Sequence, residues 1–406
     1  MSSFFEELNS EPSGGVANKN VNLTKTMISY LANVGDATIA ELSKEINLSV
    51  PKVATLVNDL IAEGIVEDNG KIDTVGGRKP NSYGLVADSA FFLGVDVKQT
   101  HINIGLTDFR KNLVKTIIKH PYELTDTQES LDELCRIIND FIKHAPIKKK
   151  QILGIGINLS GRINHTTGYS YSFFNFNEEP LSKTIESFVG LPVFLENDSK
   201  AMAYGEFHAG VVNGEKDVLF LNIDMGLGMG IIVNGQLYYG KSGYAGEFGH
   251  IPIFENEIIC RCGKKGCLET EASGLALLRM FKEKIGEGSS SLLTQNSKKN
   301  HDITLEDIIS AANKDDTLSI DLIAAIGTKL GRGIALLINI FNPELVILGG
   351  SIAMTDSYIR LPIKSAINKY SLNLVSIDTQ VKTSVLGETA GIVGACLLVR
   401  NRLISI

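Results

Sequence analysis

The sequence predicts a small winged helix-turn-helix at the N-terminus, followed by a duplicated α/β body. Three observations carry this. Residues 22–85 run in the order helix, helix, turn, helix, hairpin. From Phe91 the texture changes to Gly-punctuated strands alternating with helices. A second run of the same texture begins near Val218. The expected division is a loose tail over 1–20, the winged helix over 21–88, a first α/β lobe over 89–200 and a second over 201–406.

Within the winged helix, Leu23, Met27, Ile28 and Leu31 give Asn22–Ala32 a helical apolar face. The turn NVGDA leads to a second helix over Ile39–Ile46, with Leu42 inward and Thr38 and Glu41 spaced as a capping box. Asn47-Leu48-Ser49 opens a third helix whose apolar face is Val53, Leu56, Val57, Leu60 and Ile61, closed by Gly64. Two short strands, Ile65–Glu67 and Tyr83–Leu85, then flank the loop DNGKIDTVGGRKPNS.

In the body, Phe92–Val97, His101–Thr107 and Asn112–Lys119 read as a three-stranded meander. A helix over Glu129–His144 and a buried strand over Ile152–Ile157 follow. The second unit opens with Val218–Asn222 and Gly230–Val233, and Asn234-Gly235 turns a hairpin into Gln236–Tyr239. Asp321–Ile340 is a long amphipathic helix stopped by Asn342-Pro343, and Leu345–Leu348 is a strand ending in Gly349-Gly350. Lys148–Lys150 reads as a solvated turn and Glu287–Asn300 as an exposed loop.

Composition narrows the function classes. With 406 residues, 44% hydrophobic and 21% charged, the chain is an ordinary globular protein with two or three cores. Its best apolar stretch, Gly333–Phe341, is too short to span a membrane. The acidic N-terminus MSSFFEELNS lacks the pattern of a signal peptide, so a cytoplasmic protein without a membrane partner is expected. The net charge of −7 excludes a body that binds nucleic acid over its whole surface. DNA contact must come from a local patch.

Three of the five cysteines, Cys260, Cys262 and Cys267, fall within eight residues as C-x-C-x4-C, while Cys135 and Cys396 stand apart. Soft ligands at that spacing suit zinc, and His250, ten residues upstream in GEFGHIPI, supplies a fourth. Four protein ligands leave no open position, so the expected zinc is structural. The alternative is a set of buried free cysteines.

A sugar needs paired donors and acceptors, and the candidates are Asn197-Asp198, Glu247, His250 and Glu269. Taken singly, each has another reading. Asn197-Asp198 also suits a helix N-cap, and Glu247 and Glu269 also suit solvated surface charges. The stretch Ser170–Glu179 offers aromatics for a pyranose face, or equally for the core.

The runs AGEFGHIPI and CRCGKKGCLE resemble the signature of the ROK family of bacterial sugar repressors and sugar kinases, as do NDSKAMAYGE, NPELVILGG and GIVGA. The resemblance runs from about residue 20 to the end and implies an actin-like (ribonuclease-H-like) duplicated fold. It implies sugar contacts from Asn197, Asp198, Glu247, His250 and Glu269, and zinc on His250, Cys260, Cys262 and Cys267. In family kinases the residue matching Asp198 is the base that deprotonates the attacked hydroxyl.

The phosphate-handling segments depart from the kinase pattern. Where family kinases have Asp-x-Gly-x-Thr, this chain reads Asp96-Val97-Lys98-Gln99-Thr100. Where they have Gly-Thr-Gly, it reads Asp224-Met225-Gly226, placing a carboxylate beside would-be phosphates. No catalytic residue is therefore expected.

The segment LSVPKVATLVNDLIAEGIVEDNG with GGRKP resembles the repressor branch, of xylose and N-acetylglucosamine repressor type. That branch implies a homodimer, or a dimer of dimers, on operator DNA with a sugar or sugar phosphate as effector. Lys52, Thr55 and Asn58 of the third helix would read DNA, with Arg78 and Lys79 of the wing, although Val50 stands where many relatives are basic. The rival class is a sugar kinase with an appended DNA-binding domain, and a helix-turn-helix used only for protein contact is a further alternative.

Overall fold

The computed structural model describes residues 4–5, 16–72, 79–176, 178–295 and 303–404, with backbone alone for 16–20 and 295. The three helices of the winged domain are Val16–Val34, Ile39–Glu45 and Val50–Ala62, and β2 (Val66–Lys71) and β3 (Asn81–Leu85) form the hairpin. The Thr38 hydroxyl accepts the Glu41 N–H at 3.2 Å, and the Thr38 N–H donates to the Glu41 carboxylate at 2.7 Å, completing the capping box. Those hydrogen bonds, the Thr38 backbone one foremost, hold the Glu41 carboxyl below its usual range. The third helix buries Val53, Leu56, Val57 and Leu60 and turns Lys52, Thr55 and Asn58 to solvent. Gly64 ends it at φ +72, a conformation that a residue with Cβ adopts only under strain.

Two local features differ from expectation. Ala37–Thr38, the end of the expected turn and the helix cap after it, forms a short strand, β1, paired with Tyr83 and Ser82. The hairpin also reaches into the expected loop, to Lys71 and Asn81. Both gains come from cross-strand hydrogen bonding, which sequence periodicity does not register.

Two five-stranded sheets follow. The first joins β4 (Phe91–Val97), β5 (His101–Asp108), β6 (Leu113–Pro121), β7 (Ile152–Leu159) and β10 (Val193–Asn197) in the order β10-β7-β4-β5-β6. Here β8 (Ile163–Asn164) and β9 (Tyr169–Ser170) make a separate ribbon. The second joins β11 (Val218–Ile223), β12 (Leu227–Val233), β13 (Gln236–Leu237), β14 (Leu345–Gly349) and β15 (Gln380–Thr383) in the order β13-β12-β11-β14-β15. In each, three antiparallel strands are extended by two parallel ones, so the duplication read only from texture is a true topological repeat. Asn234 and Gly235 make the β12–β13 turn at φ +51 and +78, as the Asn-Gly pair requires.

The chain forms two compact units, residues 1–198 with 391–406, and residues 199–390. Three expectations change here. The last helix, Ala390–Ile404, belongs almost wholly to the first unit and not to a second lobe of 201–406, because Ile392, Cys396 and Val399 share a core with Phe92 and Leu153. The winged helix shares that same core. The loose tail over 1–20 changes in part, since Phe4 and Phe5 are buried, Phe5 packs edge-on against Phe109 and 16–20 are helical, while 1–3 and 6–15 lie outside the described residues.

In the second unit, Thr317–Phe341 has the length and apolarity of a membrane span despite its charges. Its buried Leu322, Ile323, Ile326, Leu330, Ile334 and Ile338 pack in the core of that unit. Asp316 caps it, accepting from the Ser319 N–H (3.0 Å), the Ser319 hydroxyl (2.6 Å), the Ser291 hydroxyl (3.0 Å) and the Leu292 N–H (2.8 Å). This cap organises the expected exposed loop, burying Ser291 and starting a short helix at Leu292–Gln295, while 296–300 lie outside the described residues. Asp316→Ala removes the acceptor from four donors and should lower unfolding free energy by about 3 kcal/mol in denaturant titration.

Candidate functional site

Strand β10 runs directly into the helix Asp198–Ala209, so Asn197 ends the strand and Asp198 opens the helix. Asp198 is 8% exposed. Its Oδ2 accepts a hydrogen bond from the Ser160 hydroxyl at 2.9 Å, and the Asn197 amide donates to the Gly161 carbonyl at 3.0 Å. The loop after β7 thus fixes both side chains. Ser160 was not anticipated from sequence, although Gly161, at φ +91, marks the turn that brings it there.

In the second unit, Glu247, His250 and Glu269 gather around the end of β12. Gly246 and Gly249 allow this, since a Cβ on either would sit 2.4 Å from the Met229 or Leu227 carbonyl oxygen. Glu269 opens the short helix Glu269–Ala272 directly after the last clustered cysteine, and its Oε2 accepts the Leu227 N–H at 2.9 Å. Glu247 is solvent-facing, with its Oε2 3.7 Å from His250 Nε2. Asn197 and Asp198 belong to the first unit, and Glu247, His250 and Glu269 to the second.

The other face of His250 meets the cysteines. One ligand atom each from His250, Cys260, Cys262 and Cys267 lies within 4.8 Å of all the others. His250 Nδ1 is 3.4 Å from Cys260 Sγ, and Cys262 Sγ is 3.6 Å from Cys267 Sγ. The edge of a tetrahedron with metal–sulfur bonds of about 2.3 Å is about 3.8 Å, so the donor set fits a soft divalent metal such as zinc. Burial, with hydrogen bonds from Cys262 and Cys260, pushes the Cys267 thiol up to about 12. Cys135 and Cys396 lie apart, and burial pushes their thiols up to about 11 and about 12.

Both segments that depart from the kinase pattern are internally occupied. The Lys98 ammonium lies 3.4 Å from the Asp96 carboxylate, which is 1% exposed. In the second unit, Asp224 Oδ1 accepts the Met225 N–H at 2.8 Å and the Ser351 hydroxyl at 3.0 Å. A carboxylate therefore takes up hydrogen-bond donors at this loop.

In the winged helix-turn-helix, Lys52, Thr55 and Asn58 line one exposed face of the third helix, and Lys79 is exposed at the base of the wing. Arg78 lies outside the described residues. In the stretch 170–179, Phe174 is buried and Tyr171 and Phe176 are exposed, so its aromatics divide between core and surface.

Two family models match the chain, one for winged helix-turn-helix DNA-binding domains over residues 23–67 and one for the ROK family over residues 92–402. The xylose repressor of Caldicellulosiruptor bescii is 32% identical over 372 residues, covering 90% of this chain and 92% of that protein. The crystal structure of a ROK family transcriptional regulator, a homolog of the E. coli MLC protein, superposes with a TM-score of 0.79 at 27% identity, covering 95% of this chain and 97% of that one. A ROK family glucokinase from Streptomyces griseus, in complex with glucose and AMPPNP, matches with a TM-score of 0.69 at 30% identity, covering 77% of this chain and 100% of that one. The actin-like body with its Cys/His cluster and the winged helix before it lead to one conclusion: this chain belongs to the ROK family.

Proposed function

We propose that the protein is a sugar-responsive transcriptional repressor of carbohydrate uptake or metabolism genes, acting in the cytoplasm. The observation that carries this reading is the exposed row Lys52, Thr55 and Asn58 on a helix-turn-helix joined to a sugar-kinase-like body. Residues 21–88 form the reading head. The third helix enters the major groove, while Arg78 and Lys79 contact the backbone or the adjacent minor groove. Two copies read a palindromic operator. Exposed Ile340, Leu372, Leu374 and Ile377 provide apolar surface of the kind a second copy covers, and the Leu372 N–H bonds Asn339 at 3.0 Å beside it.

Asn197, Asp198, Glu247, His250 and Glu269 bind the sugar. Zinc on His250, Cys260, Cys262 and Cys267 pins the loop that carries three of these ligands. Zinc held through His250 Nδ1, the nitrogen beside Cys260, would leave the Nε2 edge facing Glu247. A hundredfold change in operator affinity requires about 2.7 kcal/mol of differential binding, within the reach of a few charge-assisted hydrogen bonds. Sugar acts as inducer.

The protein is not an enzyme in this reading, because Asp96–Thr100 lacks the glycine of the kinase pattern and the Asp224 carboxylate in the second loop repels phosphate. ATP consumption measured with a panel of hexoses and pentoses should stay at background. Sugar-dependent turnover above about 1 s⁻¹ would replace the repressor with a kinase carrying a DNA-binding domain. Lys79→Ala should weaken binding to all DNA sequences by a similar factor and flatten the log–log salt slope by about 1. An unchanged slope would remove Lys79 from the phosphate contacts.

A further inference from the structure

The last helix, Ala390–Ile404, lies flush on the first sheet. A Cβ at Gly94 would sit 2.3 Å from the Ile392 carbonyl oxygen, and one at Gly156 2.6 Å from that of Ala395. Packing this close leaves the helix little room to slide without moving its contacts together.

The helix carries two arginines, Arg400 and Arg402, which point to different sides because they are two residues apart. Arg402 donates to Glu196 Oε2 at 2.7 Å and to the Leu195 carbonyl at 3.1 Å. Glu196 is 3% exposed, and its Oε1 accepts the Asn197 N–H at 2.9 Å. One carboxylate therefore joins the C-terminal helix to the backbone of Asn197, next to Asp198.

Arg400, 4% exposed, reaches the opposite way. It donates to the Phe109 carbonyl at 3.3 Å and to Asn33 Oδ1 at 3.4 Å, and Asn33 lies in the first helix of the reading head. The Phe109-Arg110 turn is itself docked on that head. Arg110 donates to the Leu85 carbonyl and, at 2.9 Å, to Glu67, with Asp36 at 3.7 Å. Every residue in this chain of contacts lies in the first unit.

We propose that the C-terminal helix carries the sugar signal to the reading head, with Glu196–Arg402 as the input joint and Arg400 as the output joint. This rests on the reading of Asn197 and Asp198 as sugar contacts. Sugar engaging them displaces the end of β10, and Glu196 moves with its neighbour. Arg402 transmits that displacement because a planar guanidinium gripping a carboxylate and a carbonyl at once fixes direction as well as distance. Arg402 and Glu196 are positioning residues, and neither need touch the sugar.

The test uses the full chain, DNA from its own promoter region, and millimolar xylose, glucose or N-acetylglucosamine as probes. Operator affinity with and without sugar is measured for the parent, Arg402→Lys and Glu196→Gln, together with amide exchange of residues 392–404. The parent should show about a hundredfold sugar effect, and both variants should fall below about tenfold while each still binds operator and sugar separately. Sugar should change exchange in the last helix of the parent and leave that of Arg402→Lys unchanged. A responsive parent with equally responsive variants overturns the proposal alone. So do variants that lose operator and sugar binding together with their fold, because the pair would then be merely structural. A parent unaffected by every sugar overturns the repressor reading and this proposal with it.

Discussion

Replacing Asp198 with alanine is expected to weaken sugar binding strongly while leaving operator affinity within about threefold of the parent, since it removes a charged acceptor from the sugar and none from DNA. Loss of a charge-assisted hydrogen bond of about 3 kcal/mol weakens sugar affinity by about 150-fold. The Ser160 hydroxyl, which donates to Asp198 at 2.9 Å, would then have to find another acceptor. Isothermal titration with sugar and fluorescence anisotropy with operator DNA separate the two effects. Normal sugar-driven release by the variant would remove Asp198 from the pocket.

Cys262→Ser is expected to cost the metal and the sugar response together. Cys262 lies 3.6 Å from Cys267, and a serine hydroxyl there is a much poorer ligand for a soft metal than a thiolate. Structural zinc sites contribute on the order of 10 kcal/mol of apparent, pH-dependent binding energy, so the loop from His250 to Cys267 should loosen. His250 then loses the contact that orients its ring, and Glu269, two residues after Cys267, keeps its bond from the Leu227 N–H. The metal content of the purified variant and its sugar titration should fall together, with a lowered Tm. A zinc-free but fully responsive protein would separate the metal from the sugar site.

How much of this was legible in the sequence varies with the range of the interaction. The winged helix was readable because its signals are local: the Thr38–Glu41 box, the Val53–Leu60 face and Gly64 each act within a turn or two. The Cys/His cluster was readable because three of its four members lie within eight residues. The second sheet was half legible, since the Asn234-Gly235 turn announces its hairpin, but the parallel pairing of β11 with β14 joins residues more than a hundred positions apart. Long-range packing was not legible. Nothing in the pattern of Ala390–Ile404 says that it returns to the first sheet, because its apolar residues suit either lobe. Phe4 and Phe5 looked like part of a polar tail for the same reason, their partner Phe109 being about a hundred residues away. The candidate sugar contacts Asn197, Asp198, Glu247, His250 and Glu269 were proposed by motif, whereas Ser160 beside Asp198 and the Glu196–Arg402 pair required the fold to bring distant segments together.

The most direct test of the account is operator binding by the purified protein, with DNA from its own promoter region, at stated salt, with and without a panel of sugars. The account predicts specific binding that one sugar weakens by about a hundredfold, with the competing sugars leaving it unchanged. Specific binding that no sugar alters, or no specific binding at all, would contradict it.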